Sequence, residues 1–183
     1  MKNLVLCCFA MLLSTSVLAD GLSGISNFRQ YDEHFSSSGQ PTPEQLQKVA
    51  DAGYDRVVYI AYSDHKNSLA NEDRLVKKLG MEYLHIPVEW DQPTVSDFDL
   101  FVGAMQRGDS KKTLLHCQVN FRASAFALLY RVIHLGVPLS QAKKDMNSVW
   151  TPNKTWTNLI LQVLAKNDID ANCDGCDWTP GEH

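Results

Sequence analysis

Apolar and polar positions change period several times along the chain, and each change marks an element. Between Pro43 and Gly53 the apolar residues recur at helical spacing, and Thr42-Pro43-Glu44-Gln45 reads as a capping box with proline at the first helical position. Residues 56–62, rich in Val, Ile and Tyr, predict a strand. Residues 69–79, closed by Gly80, predict a helix, and residues 82–88 the next strand. A further helix starts at Thr94 or Ser96 and runs to Gln106, with Gly108 behind it. Thr113, Leu114 and Leu115 form a short apolar strand. The chain leaves it through a long apolar helix that begins near Arg122, carries Phe126, Leu128, Leu129, Tyr130, Val132 and Ile133, and stops at a C-cap glycine, Gly136. Residues 139–149 and 156–166 repeat the helical period and should cover one face of a sheet, with Trp150 and Trp156 as packing anchors. Residues 20–35 show no clear period and read as an N-terminal arm.

Strands alternating with helices predict an α/β fold with a mainly parallel central sheet and helices on both faces. Ligands of such sheets bind beyond the carboxyl ends of the strands. The last strand runs at that edge into His116-Cys117-Gln118-Val119-Asn120-Phe121-Arg122. Backbone N–H groups of residues 118–122, together with the unpaired N–H groups that open the following helix, favour negative charge at one spot. A thiol held there is drawn towards its thiolate, which makes Cys117 a candidate nucleophile. Arg122 supplies a fork of donors that fits two oxygens of a phosphoryl group. The plainer alternative is that Cys117 is a small buried hydrophobe at a strand end and Arg122 a surface residue at a helix start.

This stretch resembles the active-site loop of the cysteine-dependent protein phosphatases of the tyrosine and dual-specificity type. Four residues separate Cys117 from Arg122, and that short loop, with Ser38-Gly39-Gln40-Pro41 upstream, is similar to a bacterial branch related to the phosphatase-like domain of beta-lactamase hydrolase-like proteins. The resemblance extends over residues 35–137. It implies a phosphocysteine mechanism without a cofactor, with His116 holding the loop and tuning the thiolate. The chain departs from the pattern in two places. Asn120 stands where the family usually has Gly, and Ala123 follows the arginine, so that the supporting hydroxyl falls on Ser124. Asn is the non-glycine residue that best tolerates a left-handed backbone, so closure of the loop is expected.

A phosphate ester also needs its leaving oxygen protonated. Asp91, between Trp90 and Pro93 in the loop after the 82–88 strand, is the first candidate for the acid, Glu89 the second and Asp64 a distant third. Asp91 could equally do no more than shape the turn before Pro93. Two other activities fit the same loop: sulfur transfer of the rhodanese type, and phosphate binding without catalysis.

Met1-Lys2, an apolar run from Leu4 to Leu13, and Val17-Leu18-Ala19 together read as a cleaved secretory leader over residues 1–19, which predicts a periplasmic or secreted protein. The domain proper is then expected over 35–168, after an arm at 20–34 and before a polar tail at 169–183. The whole chain carries 17 basic against 21 acidic side chains, a net charge of −4, and has no basic stripe. That composition argues against nucleic acid and against stable membrane association, and the partner that the phosphatase resemblance implies is a phosphorylated protein or small molecule. No metal-ligand spacing groups the histidines. Cys173-Asp174-Gly175-Cys176 in the tail admits half a zinc site, a redox pair or a local disulfide, and export favours the disulfide, with Cys117 left free.

Overall fold

The computed structural model describes residues 21–107 and 110–182; the leader expected over 1–19, Asp20 and Gly108 lie outside them. In chain order its elements are β1 (Arg29–Gln30), β2 (Phe35–Ser38), α1 (Pro43–Asp51), β3 (Arg56–Tyr59), α2 (Glu72–Lys78), β4 (Glu82–His85), α3 (Val95–Gln106), β5 (Thr113–His116), α4 (Phe121–Leu135), α5 (Leu139–Asn147) and α6 (Lys154–Lys166). The strands lie in the order β1-β2-β5-β3-β4. All neighbours run parallel except β1 and β2.

Helices cover both faces, as the alternation of strands and helices predicts. Val57 of β3 and Leu114 of β5 pack with Leu46 and Val49 of α1 and Val76 of α2, whereas Val58 and Leu115, one position on, pack with α3, α4 and α6. Successive strand residues point to opposite faces, so a one-residue slip would exchange the two cores. Leu114 and Leu115 are fully buried, and each contributes roughly 1.5–3 kcal/mol through that burial. This two-sided packing fixes β5 in register, with His116 opposite both Ser38 and Tyr59 and Cys117 as the first residue past the strand.

The N-terminal segment belongs to the fold rather than hanging from it as an arm. Leu22 and Ile25 are buried in the α1 and α2 core, and β1 pairs antiparallel with β2. Strand β2 has no hydrophobic pattern to announce it, since three of its four residues are serines, all buried. Their hydroxyls are satisfied locally: Ser36 Oγ lies 2.6 Å from Tyr54 Oη and Ser37 Oγ 2.7 Å from Tyr31 Oη. Buried hydroxyls paired in this way cost little, so the strand is held by its ladder and not by apolar side chains.

Caps fall where the sequence puts them. Thr42 and Gln45 form a reciprocal capping box on α1, Thr94 and Asp97 another on α3, and Gly136 ends α4 at φ +67°. Several boundaries move, α5 ending at Asn147 rather than 149 and α6 beginning at Lys154 rather than 156. Strands β3 and β4 stop at Tyr59 and His85, short of 62 and 88, and α2 begins at Glu72 after a left-handed Asn71 (φ 57°) rather than at 69. In the tail, Cys173 and Cys176 are joined and Cys117 is free.

Candidate active site

The loop from Cys117 to Arg122 closes between β5 and α4. Asn120 takes the left-handed conformation (φ 71°, ψ 3°) that the fourth position of the loop demands, and its Nδ2 donates to Asn27 O at 2.6 Å. Asn27 answers from the other side, with its Nδ2 donating to Val119 O at 3.0 Å. Ser38-Gly39-Gln40-Pro41 lies alongside. Cys117 N donates to Ser38 O, Gln40 N donates to Gln118 O, and Gly39 bridges Val119. A Cβ on Gly39 would come within 2.9 Å of Gln118 O and 3.0 Å of Ser26 Cβ, so only glycine lets the two backbones approach this closely. The first bond of α4 runs from Ser124 N to Asn120 O, and the N–H groups ahead of it have no helical acceptor.

Arg122 is the hub in front of this loop. Its Nε donates to Val88 O at 3.0 Å and its Nη1 to Gln118 Oε1 at 2.9 Å, while its guanidinium lies 5.0 Å from the Trp90 ring centre. Burial pulls its pKa down, and the negative charges of Cys117, Glu89 and Asp91 pull against that. Gln118 Nε2 donates in turn to Tyr59 Oη at 3.1 Å. A cavity of about 380 Å³ opens here, lined by Trp90, Gln118, Val119, Phe121 and Arg122 and, from the loop after β3, by His65 and Asn67. Cys117 is fully buried beside these residues.

The loop after β4 carries the candidate acids and is pinned at two carbonyls, Val88 O by Arg122 and Trp90 O by Trp156 Nε1 at 3.0 Å. Trp90 packs with Trp150 and Trp156, and Phe121 stacks on Trp150 with ring centres 4.6 Å apart. Asp91 follows this anchor and is exposed. Glu89 is also exposed, but its Oε1 accepts from Trp90 N at 3.0 Å. Asp64 stands farther off, on the exposed loop after β3, where its charge acts on Tyr62. Ser124 is placed differently from the expectation of a hydroxyl at the thiolate. Its Oγ donates to Phe121 O and accepts from Trp150 Nε1 at 3.2 Å, so it ties α4 to the tryptophan cluster.

Behind the loop, His116 is fully buried and stacks on Tyr59, ring centres 4.7 Å apart. Its Nε2 lies 3.3 Å from Oε1 of Glu72, at the start of α2. The sequence reading passed over Glu72, Tyr59, His65 and Asn67. Glu72 sits within an ordinary charged stretch, Asn71-Glu72-Asp73-Arg74, and no local signal marks it as the one carboxyl turned inwards.

Comparison with known proteins matches this architecture. The family model described as a DSP-PTPase phosphatase fused to NAD+ kinase matches residues 20–158. A solved DUF442 protein of Shewanella putrefaciens CN-32, named for a phosphatase, is 34% identical over 81% of this chain and 97% of its own, with a TM-score of 0.74. Tk-PTP in its active form is 18% identical, with 76% and 97% of the two chains covered and a TM-score of 0.66. P. aeruginosa TpbA in complex with phosphotyrosine is 16% identical, with 66% and 72% covered and a TM-score of 0.56. The last two are likenesses of fold. No curated protein sequence matches the chain.

Proposed function

The chain belongs to the DSP-PTPase phosphatase family, and from that premise we propose that it is an exported hydrolase of phosphate monoesters, acting on phosphotyrosine-type or small aryl phosphates through a phosphocysteine. The observation that carries this reading is the Cys117 to Arg122 loop, closed by a left-handed Asn120 at the β5 to α4 junction and faced by the pinned Trp90-Asp91 turn. In the first step the Cys117 thiolate attacks phosphorus and the P–O bond to the leaving group breaks, with Asp91 donating the proton that the leaving oxygen takes. Arg122 and the N–H groups of residues 118–122 hold the equatorial oxygens, and the phosphoryl group replaces Gln118 Oε1 as the acceptor at Arg122 Nη1. Water, oriented by Asp91 now acting as base, then cleaves the S–P bond and restores the thiolate. An aryl preference is supported by Trp90 and Phe121 in the cavity wall and by the phosphotyrosine held in the TpbA structure. The leader over residues 1–19 supports a periplasmic or secreted location.

The test is turnover of a generic aryl phosphate measured beside sulfur transfer from thiosulfate to cyanide. Phosphate release without thiocyanate formation is expected, and the reverse would make the loop a sulfurtransferase site. Ser124→Ala separates packing from chemistry in the same assay. It leaves the Trp150 indole N–H buried without its acceptor and is expected to lower stability by about 1–2 kcal/mol, read as a denaturant midpoint. Hydrolysis of the phosphocysteine should stay near wild type; a rapid burst followed by slowed steady-state turnover would give the Ser124 hydroxyl a part in the second step.

A further inference from the structure

We propose that Glu72 is a positioning residue for Cys117: its buried carboxyl joins Gln40, in the segment that flanks the loop, to His116, the residue before the nucleophile, and it does so in its neutral, protonated form. The proposal rests on the phosphatase reading of the site and extends it to a residue on the far side of the sheet edge.

The geometry is that of a strut. Glu72 Oε1 accepts from Gln40 Nε2 at 2.7 Å and stands 3.3 Å from His116 Nε2, and Oε2 lies 3.5 Å from Tyr83 Oη. Glu72 and His116 are 3% and 0% exposed. Neither ring nitrogen of His116 has a hydrogen bond of good geometry among the described residues, the 3.3 Å approach of Glu72 Oε1 included, so the two buried polar groups face each other as a close contact with no other partner for the imidazole. Both segments that the strut joins touch the loop directly, Gln40 through its N–H to Gln118 O and His116 through its peptide bond to Cys117.

The ionisable neighbours agree on where the proton resides. Tyr83 and His85 come from β4, Tyr59 from β3 and His116 from β5, with Asp73 next on α2 itself; none is a fixed cation beside the carboxyl. Burial pushes Glu72 up to about 7 and His116 down to about 3, and both directions favour a neutral carboxyl beside a neutral imidazole. Above about 7 the carboxylate becomes a buried anion behind a loop built to collect negative charge. It then opposes both the thiolate and a bound oxyanion.

The sign of the stability effect follows. Between an unfolded value of 4.5 and a folded value of about 7 the native chain keeps a proton on Glu72 that the unfolded chain has released, which makes stability fall as pH rises. Between about 3 and 6.5 the unfolded chain carries a proton on His116 that the native chain lacks, which makes stability rise, so the two slopes largely cancel where they overlap. Glu72→Gln, which keeps an acceptor for Gln40, removes the falling contribution and should leave stability rising with pH over that overlap.

The experiment compares the full wild-type chain with Glu72→Gln and Glu72→Ala from pH 5 to pH 9, reading turnover of an aryl phosphate whose leaving group needs no proton, the affinity for tungstate by calorimetry, and the denaturant midpoint. In the wild type, kcat/KM and tungstate affinity are each expected to fall about tenfold through the ionisation of Glu72, whereas in Glu72→Gln both stay flat. Glu72→Ala should lose about tenfold at every pH, because neither Gln40 nor His116 is held. Should the alanine variant not fold, the glutamine variant alone decides. A stability profile that changes in this way in Glu72→Gln while the turnover and tungstate profiles stay as in the wild type would make Glu72 a buried acid of the fold and overturn the proposal. Tungstate affinity does not depend on turnover, so a wild-type chain without activity would defeat the phosphatase reading and still leave Glu72 to be judged by binding.

Discussion

Cys117→Ser is expected to lower aryl phosphate turnover by at least about 10³-fold while leaving the fold unchanged, since removing a nucleophile eliminates the covalent route rather than weakening it. The substitution exchanges one small side chain for another at a fully buried position next to Gln118 of the cavity wall, and the contact that Cys117 makes to the flanking segment, Cys117 N to Ser38 O, is a backbone one that the change leaves in place. The denaturant midpoint should therefore move by no more than about 1 kcal/mol. Tungstate binding should survive, because the N–H groups and Arg122 remain. Retention of more than about one per cent of wild-type turnover would show that phosphorus is attacked by something other than this sulfur, a threshold well above the loss expected for a deleted nucleophile.

The second large effect belongs to Asp91. Asp91→Asn is expected to cost about 10²- to 10⁴-fold in turnover of a substrate with a poor leaving group. The loss should shrink for an ester whose leaving oxygen needs no proton, which separates this effect from the one assigned to Glu72. The same comparison at Glu89 should give a change of about twofold or less, because that carboxylate is turned back onto the Trp90 N–H while Asp91 extends beyond the pinned Trp90. A larger effect at Glu89 would move the acid there. Equal losses at Asp91 on both classes of ester would leave it a residue that shapes the loop.

The parts of this molecule that were legible in the sequence are those governed by local physical chemistry. Thr42 with Gln45, Thr94, and Gly136 mark helix ends because capping requires particular side chains at particular places, and the structure uses each one. The strand-loop-helix around Cys117 was legible for the same reason. Apolar runs were read too far where burial and pairing part company. Ile60, Ala61 and Val88 are fully buried yet lie past the last ladder pairs, Tyr59 with His116 and Tyr59 with His85. Strand β2 failed in the opposite sense, being fully paired and buried but made of serines. The deepest miss was Glu72. Its role depends on Gln40, 32 residues away, and on His116, and such long-range meetings leave no periodic trace in a single sequence.

One structural feature also sets how the site comes apart. The Cys117 to Arg122 loop is stitched to the N-terminal segment by Asn27 with Asn120 and Asn27 with Val119, contacts that span more than ninety residues of chain, and the Gly39 segment beside it by Gly39 N to Ser26 O. The amide protons of Gly39, Gln40 and Cys117 therefore share one opening event with β1 and β2, and should exchange with solvent together, at a common rate, while the interior of α4 remains protected. On the proposed function, activity is therefore expected to go with release of the front of the chain, as a cooperative unit of its own, before the helical core melts.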